Sequence, residues 1–163
     1  MIAPVRPQHP NRAERAAAAC VRGIVAVPLL RRFLLWPVVA RPGYWFATGC
    51  AFLWGTILFG RHRRSHGLHV IHRLPRWAFG RGGTTIGAVY LTCDGTSDRV
   101  LEHEAVHRQQ WRRYGMSMPI LYLAAGSVAR TNRFEVEAGL EKGGYVRPRR
   151  PKPRPGGFPG KNS

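Results

Sequence analysis

The sequence predicts an α+β fold in which a helix bearing two histidines lies beside a small β-sheet, a second helix brings a glutamate towards them, and an apolar helical region precedes both. Three stretches carry that expectation. Thr84 to Thr92 is rich in β-branched and aromatic residues, as a strand is. Asp98 to Tyr114 carries His103-Glu104-Ala105-Val106-His107 between a serine suited to start a helix and a glycine suited to end it. Gly43 to Gly60 contains no charged residue.

Taken from the N-terminus, residues 1–22 are rich in Ala, Arg and Pro with Glu14 as the sole acid, which reads as a basic leader with a short helix from Asn11 to Cys20. Residues 23–66 read as an apolar, helical, membrane-associated region. From Gly23 to Ala40 the apolar run is broken by Pro28, Arg31, Arg32 and Pro37, which favours an interfacial or hairpin segment over a clean span. The uncharged stretch that follows gives about 27 Å of helix at 1.5 Å per residue, close to the roughly 30 Å of a hydrocarbon core. A transmembrane helix fits this stretch, and so does a helix buried in the domain. Arginines flank it on both sides, Arg31, Arg32 and Arg41 before and Arg61, Arg63 and Arg64 after, so orientation is undecided. Arginines within the apolar run disfavour a cleaved signal peptide.

His62, His66, His69 and His72 follow in a basic stretch. His62 and His66 have helical ligand spacing, but no carboxylate is near and the arginines repel a cation, so a solvated rim is expected. Residues 67–145 read as the metal-binding domain. Leu68 to Ile71, a Gly-rich turn around Gly80 to Gly83 and Thr84 to Thr92 predict two or three short strands. Asp94 to Ser97 makes a turn, Ser97 caps a helix from Asp98 to about Tyr114, and Gly115 ends it. Met116 to Arg130 is apolar but short for a bilayer, hence a buried or membrane-surface helix. A third helix is expected from Thr131 or Asn132 to about Glu141, stopping at Gly143-Gly144. Residues 146–163 alternate Pro with Arg and Lys and read as a disordered basic tail.

Composition narrows the partners. The formal charge is +18 and the isoelectric point about 11.6. Arginine supplies 23 of the 26 basic residues beside abundant Ala, Gly and Pro, a bias that GC-rich coding produces without selection for binding. No helix-turn-helix, zinc-finger spacing or aromatic RNA-binding signature accompanies the charge, so nucleic acid is disfavoured and an anionic membrane is the expected partner. Of eight acidic residues, seven (Asp94, Asp98, Glu102, Glu104, Glu135, Glu137 and Glu141) cluster in the stretch that holds the histidine motif. Only that region can offer a divalent cation both carboxylate and imidazole. Cys20, Cys50 and Cys93 stand far apart, with no Cys-x-x-Cys pair, which excludes a cysteine-ligated iron–sulfur cluster and a disulfide framework.

Two histidines four apart on a helix share one face, with the intervening glutamate beside them, the spacing of a zinc metalloprotease. His103 and His107 thus offer two metal ligands, Glu135 on the later helix offers the third, and water takes the fourth position. Glu104 is placed to take a proton from that water and pass it to a leaving amine. The strand-like stretch before the helix suits an extended peptide or protein substrate adding alongside it.

His103-Glu104-Ala105-Val106-His107, followed by Thr131-Asn132-Arg133-Phe134-Glu135-Val136-Glu137-Ala138, resembles the gluzincin metallopeptidases. The likeness is to the pattern downstream of the zinc helix in HtpX-like and prenyl-protein membrane proteases and in minigluzincins. Over about residues 80 to 145 the chain is also similar to small actinobacterial proteins. The resemblance implies one zinc ion on His103, His107 and Glu135, with Glu104 as general base, in a small peptidase at the bacterial inner membrane. In that pattern an aspartate that hydrogen-bonds a ligand histidine falls at Gly139. Glu137, Glu102 and Glu141 are the carboxylates that could replace it, with Asn132 and Tyr145 as further residues supporting the ligands. Tyr145, Tyr122, Tyr114 and Asn132 are candidates to stabilise an oxyanion. Gln109, Gln110 and Trp111 read as packing and rim residues. The competing reading is a non-catalytic protein, either metal-binding or a basic membrane or nucleic-acid adaptor, in which the histidines are structural.

Overall fold

The computed structural model describes residues 9–79, 82–93 and 95–146. The first eight residues of the expected leader, the expected tail from 147 onward, and Gly80, Arg81 and Asp94 of the expected turns lie outside them. The described residues form an α+β fold of six α-helices and one four-stranded sheet. The helices are α1 (Arg12–Ala26), α2 (Pro28–Leu35), α3 (Pro37–Ile57), α4 (Asp98–Tyr114), α5 (Met118–Ala124) and α6 (Arg133–Ala138). The strands are β1 (Arg61–Ser65), β2 (Leu68–His72), β3 (Gly83–Ile86) and β4 (Val89–Thr92), in spatial order β1-β2-β4-β3.

Strand β4 is buried throughout because helices cover both faces of the sheet, which explains its unbroken Val-Tyr-Leu run. Alternation sorts the side chains between two layers. On one face Ile71, Val89 and Leu91 pack with Ala51 of α3; on the other Leu68, Val70 and Tyr90 pack with Leu101 of α4. A third cluster, Tyr44, Ala47, Ala88, Trp111, Met118 and Phe134, joins α3, α4, α5 and α6 beyond the sheet. β2 and β4 run parallel, and the other two pairings are antiparallel. Among the described residues β3 is an edge strand, paired only with β4.

The strand β1 was not expected, because Arg-His-Arg-Arg-Ser has no apolar alternation; its side chains face solvent and its backbone completes the edge of β2. In an extended strand, residues four apart do not form a ligand pair. His62 meets Thr56 and Phe52 while His66 meets Ser65 in the following turn.

The transmembrane reading of residues 43–60 is not sustained: among the described residues no helix is long and apolar enough to cross a membrane. Residues 43–57 of the uncharged stretch instead belong to α3, which starts at Pro37 and includes Arg41. One face of α3 is buried in the domain through Ala40, Tyr44, Ala47, Thr48, Ala51 and Gly55. The Thr48 hydroxyl accepts a hydrogen bond from the backbone N–H of Ala88 at 3.0 Å, tying the helix to the β3–β4 turn. The break expected between Gly23 and Ala40 is real: Pro28 and Pro37 each open a helix, as proline at a first turn does.

The helix of the leader runs longer than expected, to Ala26, and opens with a capping box between Asn11 and Glu14. Glu14 also accepts from the Ser127 N–H at 2.9 Å, fastening α1 to the loop after α5. The apolar stretch 116–130 condenses to a single short helix, α5, because the chain turns at Ala125-Gly126 to bring Asn132 back beneath it.

Candidate metal centre

α4 spans the residues expected of it, Asp98 to Tyr114, and its periodicity stacks the buried rings of His103 and His107 one turn apart. Ring centroids are 4.7 Å apart and the two Nε2 atoms only 3.1 Å. The partners of the other ring nitrogens decide what those Nε2 atoms carry. Nδ1 of His103 lies 3.1 Å from the carbonyl oxygen of Gly139, which can only accept, so Nδ1 bears a hydrogen. Nδ1 of His107 lies 2.8 Å from Oε1 of Gln110. The Gln110 amide nitrogen donates to the Phe134 carbonyl at 3.1 Å and to Glu137 Oε2 at 3.0 Å, which fixes Oε1 as the atom facing the ring. Each neutral imidazole therefore turns an Nε2 lone pair towards the other.

Glu135 completes the convergence. Its Oε2 is 3.2 Å from Nε2 of His103 and its Oε1 is 3.6 Å from Nε2 of His107. Oε2 is buried and has no hydrogen-bond partner. Two ring nitrogens and a buried carboxylate oxygen without a hydrogen-bond partner, set this close together, could hold a cation. A tetrahedral zinc ion with ligands at about 2.0–2.1 Å separates its donor atoms by roughly 3.3–3.4 Å, near the 3.1 Å between the two Nε2 atoms and the 3.2 Å from His103 Nε2 to Glu135 Oε2. His103, His107 and Glu135 are the one such group of metal-ligating side chains found among the described residues.

A proton on an Nε2 can serve the carboxylate where a cation would otherwise sit. Burial would push the Glu135 carboxyl up, but the facing His103 and His107 rings and the Tyr122 hydroxyl outweigh it and hold the carboxyl well below the usual range. At His107 burial favours the neutral ring, yet Glu135, Glu104 and Gln110 together raise its proton affinity. A proton and a metal ion thus compete for one position.

Helix α6 delivers Glu135. Its N-cap is Asn132, whose Oδ1 accepts from the Phe134 N–H at 3.0 Å and whose amide donates to the carbonyls of Tyr122 at 3.2 Å and Gly126 at 2.7 Å. Those backbone bonds give Asn132 the work of seating α6, away from the rings. The helix stops at Ala138, three residues earlier than expected, because Gly139 takes φ +93° and ψ 99°. This conformation, open to glycine, turns the Gly139 carbonyl onto His103. The position read as lacking a supporting aspartate supplies the hydrogen-bond acceptor from its backbone.

The remaining candidates separate. Glu137 reaches His107 only through Gln110. Glu102 and Glu141 pair on the surface with Lys142 and Arg99, both at 2.7 Å, and so bind the loop after α6 to α4. Tyr145 lies beside His103, centroids 6.0 Å apart, and lines the cleft. Tyr122 lines it too, with its hydroxyl donating to Glu135 Oε1. Tyr114 packs edge-on against Phe134 and does not line the cleft.

Glu104 projects into the same cleft, and the Thr85 hydroxyl of β3 donates to its Oε2 at 2.7 Å. Burial raises the proton affinity of this carboxyl, opposed by His107, the Thr85 hydrogen bond and His103. Trp111 of α4 donates to the Thr85 carbonyl at 2.9 Å, locking strand to helix. The cleft measures about 1240 Å³ and runs between α3, β3, α4 and α5. Gln110, Thr85 and Tyr122 also contact His107, Glu104 and Glu135, roles that no motif in the sequence marks. Only Gln110 left a signal, three residues after His107 and so on the same helix face. No protein-family model, curated protein or solved structure matches the chain.

Proposed function

We propose that the protein is a zinc-dependent peptidase whose metal is held by His103, His107 and Glu135. The observation that carries this reading is the convergence of His103 and His107 on the buried Glu135 carboxylate, His103 Nε2 at 3.2 Å from Oε2 and His107 Nε2 at 3.6 Å from Oε1, with Glu104 adjacent in the same cleft. A bound zinc ion would supply Lewis-acid polarisation of a water and of the scissile carbonyl.

The chain's own groups then have distinct tasks. The Thr85 hydroxyl occupies Oε2 of Glu104 and leaves Oε1 as the basic atom. Glu104 takes the proton released as water oxygen bonds to the carbonyl carbon, and returns it to the amine nitrogen as the C–N bond breaks. Burial, by raising the proton affinity of Glu104, makes it competent in both directions. β3 lies at the edge of the sheet, beside the helix that bears Glu104, and lines the cleft, a setting that suits an extended peptide. Tyr122 and Tyr145 line the cleft at opposite histidines, Tyr122 beside His107 and Tyr145 beside His103; the one hydrogen of Tyr122 is given to Glu135, so Tyr145 is the phenol that suits a developing oxyanion. The resemblance of the His103–His107 and Asn132–Ala138 segments to gluzincins supports the same assignment.

The deciding experiment is Glu104→Gln assayed on a mixed peptide library alongside wild type. Zinc content should stay at wild-type level while cleavage falls by about a hundredfold or more. Equal cleavage by the variant would contradict the role of Glu104. Zinc binding with no cleavage by wild type would favour the second reading, a metal-binding protein without peptidase activity.

A further inference from the structure

The outer face of α3 has its large and small residues reversed from the usual order. Its buried face is built from Ala40, Ala47, Ala51 and Gly55 with Tyr44 and Thr48, whereas Val38, Trp45, Phe46, Phe52, Leu53 and Ile57 face solvent. Trp45 and Phe46 are each 64% exposed and Leu53 60%. On a helix at 100° per residue these outward positions fall in one stripe, opposite the buried one, and run from Val38 to Ile57, about 29 Å. Water-soluble surfaces rarely carry so continuous an apolar strip. The helix is not long and apolar enough to cross a bilayer, and its inner face is already committed to the domain.

Charge identifies the occupant. Exposed arginines bracket the strip, Arg31, Arg32 and Arg41 on the N-terminal side and Arg61, Arg63 and Arg64 on the C-terminal side. From Arg15 to Cys93 the sequence contains eleven arginines and no Asp or Glu. Two copies of this face would bring like charges together around an apolar contact, whereas an anionic lipid surface offers hydrocarbon to the strip and phosphate to its flanks. We infer that α3 docks the protein, lying in the plane of the interface, on an anionic bilayer, with Trp45, Phe46 and Leu53 inserted among the acyl chains. Phe46 and Trp54 also line the cleft beside His103 and His107, so docking sets the cleft against the lipid surface. The docking stands or falls independently of peptidase activity, and its test reads binding alone.

The test is co-flotation of the full chain with vesicles containing about 30 mol % phosphatidylglycerol, compared with neutral phosphatidylcholine vesicles. Wild type should float with the anionic vesicles and far less with the neutral ones. Trp45→Glu with Leu53→Glu leaves every basic residue in place and should weaken partition by about tenfold or more. The milder Trp45→Phe should keep binding but lose part of the tryptophan quenching that wild type shows in vesicles with brominated acyl chains. Binding unchanged by the glutamate pair, or quenching unchanged by Trp45→Phe, would overturn the inference by placing attachment elsewhere. So would a vesicle-free dimer, seen by light scattering, that the glutamate pair dissolves and that does not bind lipid.

Discussion

Nδ1 of His103 donates to the backbone carbonyl of Gly139 at 3.1 Å, so a main-chain atom fixes which nitrogen of this ring faces Glu135. A side-chain carboxylate would polarise the ring more strongly; a carbonyl orients it equally well. The arrangement depends on φ +93° at Gly139, a conformation that costs a residue with a side chain about 1–3 kcal/mol.

Gly139→Ala tests that dependence. A Cβ there would meet nothing closer than Lys142 Cδ at 3.8 Å, so its effect comes from the backbone and not from crowding. The variant should fold, melt at a lower temperature and bind zinc about tenfold more weakly in a chelator competition. Unchanged affinity would show that the carbonyl is dispensable.

Gln110 holds the other ring. Gln110→Leu removes the acceptor from Nδ1 of His107 and strands the Phe134 carbonyl, so zinc affinity should fall by about 10- to 100-fold. Glu137→Gln, which disturbs only the far side of that amide, should cost much less. Comparable losses in the two variants would mean that Glu137 acts on the site by another route.

Gly143 is a matter of space. A Cβ at this position would lie 2.7 Å from Cε1 of His103 and 2.8 Å from Cε2 of Tyr145. Because the Gly139 carbonyl pins His103, the ring cannot yield freely. Gly143→Ala should lower stability by about 1–3 kcal/mol and weaken zinc binding, measured by denaturant unfolding and competition titration. A variant identical to wild type in both would show that the loop after α6 shifts at no cost.

Acidity acts through His107 and Glu135 in opposite senses. His107 binds its proton more tightly in the folded, metal-free protein than in the unfolded chain, so this contribution is full below about pH 6.5 and lost as pH rises through the raised value. Glu135 has a lowered value, so its contribution is present above about pH 4.3 and lost as pH falls below that. Zinc must displace the His107 proton, and its apparent affinity should climb about tenfold per pH unit until the raised value is passed, then level off. Calorimetry in buffers of different ionisation heat should register release of one proton per zinc below that point; no release would contradict the raised proton affinity of His107.

The ligand helix was legible to the residue, since Ser97 and Gly115 are local signals and the His-x-x-x-His period is helical. The Ser97 side chain makes no capping hydrogen bond, so its position was right while its expected contact was not. The support of the ligands was illegible because its acceptor at His103 is a carbonyl, which every residue possesses, and its acceptor at His107 is an amide read as packing. Hydropathy suggested a span over 43–60 because it sums residues without regard to side. The face of α3 that meets the domain carries the small and polar residues, and the aromatic ones that raised the sum point outward. β1 escaped notice because its pairing is carried by backbone alone.

Metal analysis of purified wild type beside His103→Ala, with circular dichroism to establish that both are folded, is the most direct test of the metal centre. One zinc per wild-type chain, and almost none in the variant, is the expected result. A folded wild type that is metal-free, and that takes up no zinc when the ion is supplied, would contradict it.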